Sequence, residues 1–229
     1  MLEGLREAIG DEMDLMVDLH GPPWLTTADA IALGRRLEPL GLMFMEDPVA
    51  PEQTDAYQRI RDAVAIPLAA GERLATIWGL RPLIERELVD VVQPDTGRSG
   101  GITVLKKIAA MAEAHGIMLA PHSGSLGPIA ECAALHVLAA VPNALMLERV
   151  EIDWAGRPTV ITPAPVTVDG HIAVPTAPGL GVDIVESEIA KYPSNRNVGL
   201  GKGDYAAGTE TESVYVQSRL GRQRWLKGK

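Results

Sequence analysis

The chain has 229 residues, 46% of them hydrophobic, which is enough for one sizeable core and makes a single main domain the expectation. A formal net charge of -9 at pH 7 argues against partners that need a clustered basic surface, nucleic acid and anionic membranes, and points to a small molecule. Cys132 is the only cysteine, no leader-like stretch opens the chain, and no apolar run approaches the roughly 20 residues that span a bilayer. A cytoplasmic protein outside the membrane is expected.

In chain order, apolar residues at Leu2, Leu5, Ala8 and Ile9 predict a helix over 2–10 that Gly10 stops. A strand follows over 15–19. Pro22 and Pro23 then break the backbone, and Thr26 or Thr27 can cap a helix running to Leu40 and ending at Gly41. Alternation continues with strands over 42–45, 66–70, 89–92, 117–120 and 144–147. Between them the spacing predicts helices over 51–64, 77–88, 103–115 and 129–140, with Gly100 and Gly101 forming a turn into the helix over 103–115. From 152 to 184 the chain is rich in Pro, Gly and β-branched residues and reads as short extended segments around an Asp169-Gly170 turn. Residues 192–208 read as irregular, and 213–225 alternate at Val214 and Val216 before turning basic.

Strands alternating with amphipathic helices imply parallel crossovers, and strand runs without polar alternation imply burial on both faces. Either a (β/α) barrel or a doubly wound sheet would satisfy this. The decision falls to the ionisable residues at strand ends, Asp18, Glu46, Glu72, Asp95, His122 and Glu148, which recur in steps of 23 to 28 residues. One reactive side chain at the C-terminal end of each strand is what a barrel's catalytic face requires, whereas an open sheet would gather them at its switch point.

Taken singly, each acid reads most simply as a solvated loop residue. Asp18, Glu46 and Glu72 in register on three consecutive strands would converge, and three like charges need a cation to offset them. Oxygen ligands alone favour Mg²⁺. On the next two strands, Asp95 can hold one nitrogen of His122 and leave the other to take a proton, with Pro121 and Gly124 placing that histidine in a loop mouth. His20, two residues after Asp18, is expected on the same face of the strand, as a working group or as support to a ligand. Glu148 either bonds the substrate or pairs with Arg149 or Arg73. Of the other histidines, His115 suits a helix C-terminus, His136 reads as core and His171 follows a turn.

The stretches VDLHG, MEDPV, AAGERL, VVQPDTGRSGGIT, KIAAMAEAHGIMLAPHS and LGPIA together resemble the enolase superfamily, and within it the mandelate racemase subgroup. The resemblance implies an enolase-like TIM-type barrel in which Asp18, Glu46 and Glu72 bind Mg²⁺, Asp95 and His122 form the His-Asp dyad, and Glu148 stabilises an enolate. A histidine in the position of His20, with the segment DGHIAVPTAPGLGVDI, resembles the acid-sugar dehydratases of the galactonate dehydratase type. The implied reaction is β-elimination: His122 removes the proton α to a sugar-acid carboxylate, His20 protonates the departing 3-hydroxyl, and the enol becomes a 2-keto-3-deoxy acid.

Members of that superfamily also carry an N-terminal capping domain and a first barrel strand, and this chain opens in what would be the helix after it. The expectation is therefore a fragment, a split gene product or a start-site error, with residues 1–155 a partial catalytic barrel and 156–229 a segment that completes it and packs on a cap. A homo-oligomer acting on a sugar acid is expected. The competing readings are a racemase or cycloisomerase of the same superfamily, and a non-catalytic barrel piece.

Overall fold

Parallel strands in sequence order carry the site. The computed structural model describes residues 1–21, 24–123, 127–150, 155–192 and 216–217. Strand β1 spans Val17–Asp18 and a short β2 spans Trp24–Leu25; β3 (Met45–Glu46), β4 (Leu68–Ala70), β5 (Val91–Val92) and β6 (Met118–Leu119) follow. The main sheet has the order β1-β3-β4-β5-β6, all parallel, with Asp18 opposite Glu46, Glu46 opposite Ala69, and Ala69 opposite Val91. Each strand therefore lies beside the next one in its sheet along the chain. A doubly wound sheet would reverse that order at a switch point.

The strands are shorter than predicted, yet the pairing extends past them: Met43 N–H donates to Leu15 O at 2.8 Å. The strand predicted over 144–147 contracts to one parallel bridge, Leu119 with Ala144, flanked by Leu145 N–H donating to Leu119 O at 2.8 Å.

Helix α1 (Leu2–Ile9) precedes β1, and α2 (Thr27–Leu37), α3 (Thr54–Arg61), α4 (Thr76–Glu85), α5 (Thr96–Ser99), α6 (Gly101–Ala114) and α7 (Pro128–Leu138) follow. Thr26 caps α2 by accepting the Asp29 N–H at 3.2 Å. The helix predicted to run to Leu40 tightens into a 3-10 turn over Glu38–Leu40, because Pro39 has no N–H to continue the ladder, and Gly41 ends it at φ 59°.

Alternation along the strands divides the core. Met45, Leu68, Ala70, Val92 and Leu119 share one buried cluster with Ala30, Leu37, Tyr57, Ile60, Leu83, Ile84, Leu105, Ile108 and Val137 of the helices. Phe44, Ala69, Val91 and Ala120 form the other, joined by Met43, Met118, Leu145 and Met146, and it contains no helix residue. The helices in the first cluster thus cover one face of the sheet, the arrangement of a barrel wall rather than of a sheet sandwiched between two helical layers. Glu46 alternates with Met45 and so belongs to the face of Phe44, away from the helices.

Beyond the site strands, β7 (Ile161–Thr162), β8 (Thr167–Val168), β9 (His171–Ile172), β10 (Asp183–Ile184) and α8 (Glu186–Ile189) make up the C-terminal part. The predicted Asp169-Gly170 turn joins β8 to antiparallel β9, both residues at positive φ (49° and 74°) as a tight hairpin demands. This part is fastened to α7: buried Glu131 takes Arg157 at 3.0 Å and Arg149 at 3.4 Å. His136 is half-buried rather than core, its Nε2 3.1 Å from Leu180 O. The Pro22-Pro23 break, Gly124, residues 152–154 and the stretch over 193–208 lie outside the described residues. Of residues 213–225 only Val216–Gln217 are described, as strand β11 parallel to β2. No helix among the described residues is long and apolar enough to cross a membrane.

Candidate active site

Asp18 ends β1, and the chain turns at once. Its Oδ1 accepts the backbone N–H of His20 at 2.7 Å, its Oδ2 lies 2.9 Å from His20 Nδ1, and His20 sits at φ 47°. The predicted pairing of the two residues is real but its reason differs: an aspartate closing a turn on the residue two places on brings them together, not the pleat of a strand that stops at Asp18. The hydrogen bond from Asp18 raises the His20 imidazole above its ordinary value; partial burial opposes this, Asp18 and Glu72 add to it by charge, and Arg73 opposes. The His20 side chain is half exposed.

Glu46 and Asp47 follow on β3. Burial pushes the Glu46 carboxyl up to about 9, with the charges of Asp18, Asp47 and Glu148 adding and a Gln93 side-chain hydrogen bond subtracting. Asp47 is buried too, at φ 43°, and burial first and Glu72 next push it up to about 8 against the pull of Arg73. Glu72, past the end of β4, holds two partners: Arg73 Nη2 at 2.9 Å and His122 Nε2 at 3.0 Å. Arg98 fixes the Glu72 backbone by donating to its carbonyl at 3.1 Å.

Asp95 serves twice. One oxygen caps α5 by accepting the Arg98 N–H at 2.7 Å, and the other lies 2.8 Å from His122 Nδ1. The cap explains why α5, which the sequence reading did not anticipate, forms just before the Gly100-Gly101 turn, and it holds the carboxylate that meets the histidine. With Nδ1 donating to that carboxylate, Nε2 of buried His122 is the atom left to work. Burial disfavours its charged form, but the Asp95 hydrogen bond and the charges of Glu72, Glu148 and Asp95 outweigh that and hold His122 above its ordinary value.

Glu148 pairs with neither arginine considered for it. Arg73 is engaged by Asp47 and Glu72, and Arg149 by Glu131, Thr167 and the Pro165 carbonyl. Glu148 Oε2 is instead buried without a hydrogen-bond partner among the described residues. Burial raises its carboxyl, His122 draws it down, Glu72 pushes it up, and a Ser123 backbone hydrogen bond and the Asp18 charge act in opposite directions. A buried carboxylate oxygen with no donor is what a substrate hydroxyl or an enol proton can satisfy.

The structure thus brings Glu72, Asp95 and His122 into direct contact, with Glu148 close enough to act on His122 by charge. Asp18 and Glu46 stand in register beside them, but Asp18 is turned to His20 and Glu46 to Gln93. Among the described residues no three His, Cys, Asp or Glu side chains meet in a group arranged to hold a metal ion. Their chemistry nevertheless fits a hard dication. The donors are carboxylate oxygens on adjacent strands, and burial and mutual repulsion have driven Glu46 far above the usual carboxylate range. Sequence reading missed Gln93, Asp47, Arg98 and the Trp24–Arg73 pair. Gln93 was findable, since it lies two residues after Val91 and so in phase with the face that carries Glu46.

A singly wound parallel sheet with helices on one face, and acids with a buried His-Asp pair at its strand ends, defines an enolase-like α/β domain. The chain belongs to the family described as enolase C-terminal domain-like, which matches residues 1–188. It is 38% identical over 197 residues to the D-galactonate dehydratase of Xanthomonas euvesicatoria pv. vesicatoria, covering 83% of this chain and 51% of that protein. It is 34% identical over 201 residues to the D-galactarolactone cycloisomerase of Agrobacterium fabrum, covering 84% and 52%. Among solved structures, an enolase from Pantoea ananatis with bound D-gluconate and Mg superimposes with a TM-score of 0.78 at 35% identity, over 85% of this chain and 46% of that one. The chain spans about half the length of the curated relatives it matches.

Proposed function

We propose that this chain carries the catalytic face of a sugar-acid dehydratase, converting an aldonate to a 2-keto-3-deoxy acid through an enediolate. The observation that carries the reading is buried His122, held at Nδ1 by Asp95 at 2.8 Å with Nε2 directed at Glu72 among the acids of the neighbouring strands. A histidine so oriented is a general base whose working nitrogen is preset. His122 Nε2 takes the proton α to the substrate carboxylate, and the electron pair moves into the carboxylate as the enediolate forms. The pair then returns to break the C3–O bond, and His20 gives its proton to the leaving hydroxyl. The enol so formed tautomerises to the ketone. Glu148, with its unpartnered oxygen, accepts a hydrogen bond from a substrate hydroxyl beside the reacting carbon.

Asp18, Glu46 and Glu72 are the residues that would hold Mg²⁺. Bound there, the ion would supply positive charge to offset the dianionic enediolate. An ion held there would compete with His20 for Asp18 and with His122 for Glu72, and so would free His122 Nε2 and the His20 ring to face the substrate. Mg²⁺ titration by calorimetry checks the assignment: the intact chain binds, and Glu46→Gln weakens binding at least about tenfold. Unaltered binding by that variant removes Glu46 from the site.

The proposal is tested by incubating the chain with Mg²⁺ and a panel of aldonates and measuring 2-keto acid release. Release from at least one acid sugar is expected. A cycloisomerase shares the proton abstraction but opens or closes a ring; the relative of that name keeps it as the second reading, and ring-opened product from a lactone without loss of water decides for it.

A further inference from the structure

We propose that Arg73, gripped between the Trp24 ring and Asp47, is a positioning residue that ties the His20-bearing loop to the strand end carrying Glu72. The Arg73 guanidinium lies over the Trp24 ring at 5.5 Å from its centroid, its Nε is 3.4 Å from Asp47 Oδ2, and its Nη2 is 2.9 Å from Glu72 Oε1. The contact joins three separate chain segments. Trp24 lies four residues after His20, Asp47 follows β3 and Arg73 follows β4.

All three side chains are out of solvent: Trp24 is 3% exposed, Asp47 1%, and the Arg73 side chain 7%. Only a planar cation with a fork of donors can stack on a ring and reach two carboxylates at once, which a lysine ammonium cannot do. Asp47 has no part in the proposed proton transfers. It is nonetheless buried, and it sits at φ 43°, an uncommon backbone position that aspartate tolerates better than most residues. Trp24 Nε1 is buried with no hydrogen-bond partner among the described residues, and the clamp uses the ring face.

His20 needs such a tie. Its bond to Asp18 is local to its own turn, and half of its side chain faces solvent. His122 does not, because Asp95 and the α5 cap orient it from β5. The clamp therefore acts on the acid of the second step through Trp24, while the base of the first keeps the orientation that Asp95 gives it. Trp24 is the position to vary, since it takes no part in the proposed proton transfers or in the proposed metal set.

The test is amide hydrogen exchange of the whole chain, comparing Trp24→Phe, which keeps a ring face, with Trp24→Leu, which does not. Trp24→Leu is expected to speed exchange at the His20 amide by about tenfold or more, with Leu119 unchanged and Trp24→Phe close to the parent. Equal His20 exchange in both variants, or a rise that extends to Leu119, overturns the proposal. A second reading rests on the proposed dehydration. With Mg²⁺ and a turned-over aldonate, the ratio of α-proton exchange to keto acid release rises about tenfold in Trp24→Leu and is rescued in Trp24→Phe. Equal loss of both steps counts against the clamp. If the parent chain neither exchanges nor releases product, the proposed function fails while the amide exchange still decides the clamp.

Discussion

Two histidine–aspartate pairs stand on the same sheet with nearly the same spacing, His20 with Asp18 at 2.9 Å and His122 with Asp95 at 2.8 Å. The first is local, closed within one turn and half open to solvent. The second joins residues 27 apart and is buried. Both imidazoles are raised, but a hydrogen bond dominates at His20, whereas at His122 burial works against the charged form and several carboxylates overcome it. The same pair of side chains thus makes two different tools. A rim histidine can exchange protons with water and a departing hydroxyl, and a buried one can take a proton from carbon without competition from solvent.

Breaking the buried pair should have the larger effect. His122→Asn is expected to lower both α-proton exchange and keto acid release by about 10²- to 10⁴-fold, measured by proton NMR in deuterium oxide and by a keto acid assay. His20→Asn should separate the two steps, slowing release by about 10²-fold or more while exchange persists; equal loss of both would mean the pairs do not divide the work. Asp95→Asn should be milder in rate, about 10- to 100-fold, because the imidazole remains but loses the carboxylate that orients it. That variant also weakens the α5 cap, by about 1 kcal/mol in thermal or urea unfolding. Smallest in activity and largest in stability is a change away from both pairs: Arg157→Met leaves buried Glu131 short of a partner and should cost about 3–5 kcal/mol in urea unfolding.

The buried pair was legible in the sequence and the exposed one only in part. Asp95 and His122 end apolar runs on successive barrel strands, and that periodicity depends on nothing but residue type. The barrel-type winding was legible from the regular steps between the ionisable strand ends, since the alternation of strands and helices alone left a doubly wound sheet open. Asp18 and His20 were paired for a reason the structure replaces, because where a strand stops depends on its neighbour's hydrogen bonds and not on its own pattern. The double duty of Asp95 as helix cap and histidine partner was hidden by Gly100 and Gly101, which read as a turn. The grip of Trp24 and Asp47 on Arg73 joins three loops that no local spacing connects.

The central claim is that His122 takes a proton from the carbon next to a sugar-acid carboxylate. Its most direct test is the disappearance of the α-proton signal of a turned-over aldonate in deuterium oxide with Mg²⁺, followed by proton NMR for the parent chain and for His122→Asn. The account predicts loss of the signal with the parent and its persistence with the variant. Undiminished exchange by His122→Asn would contradict it.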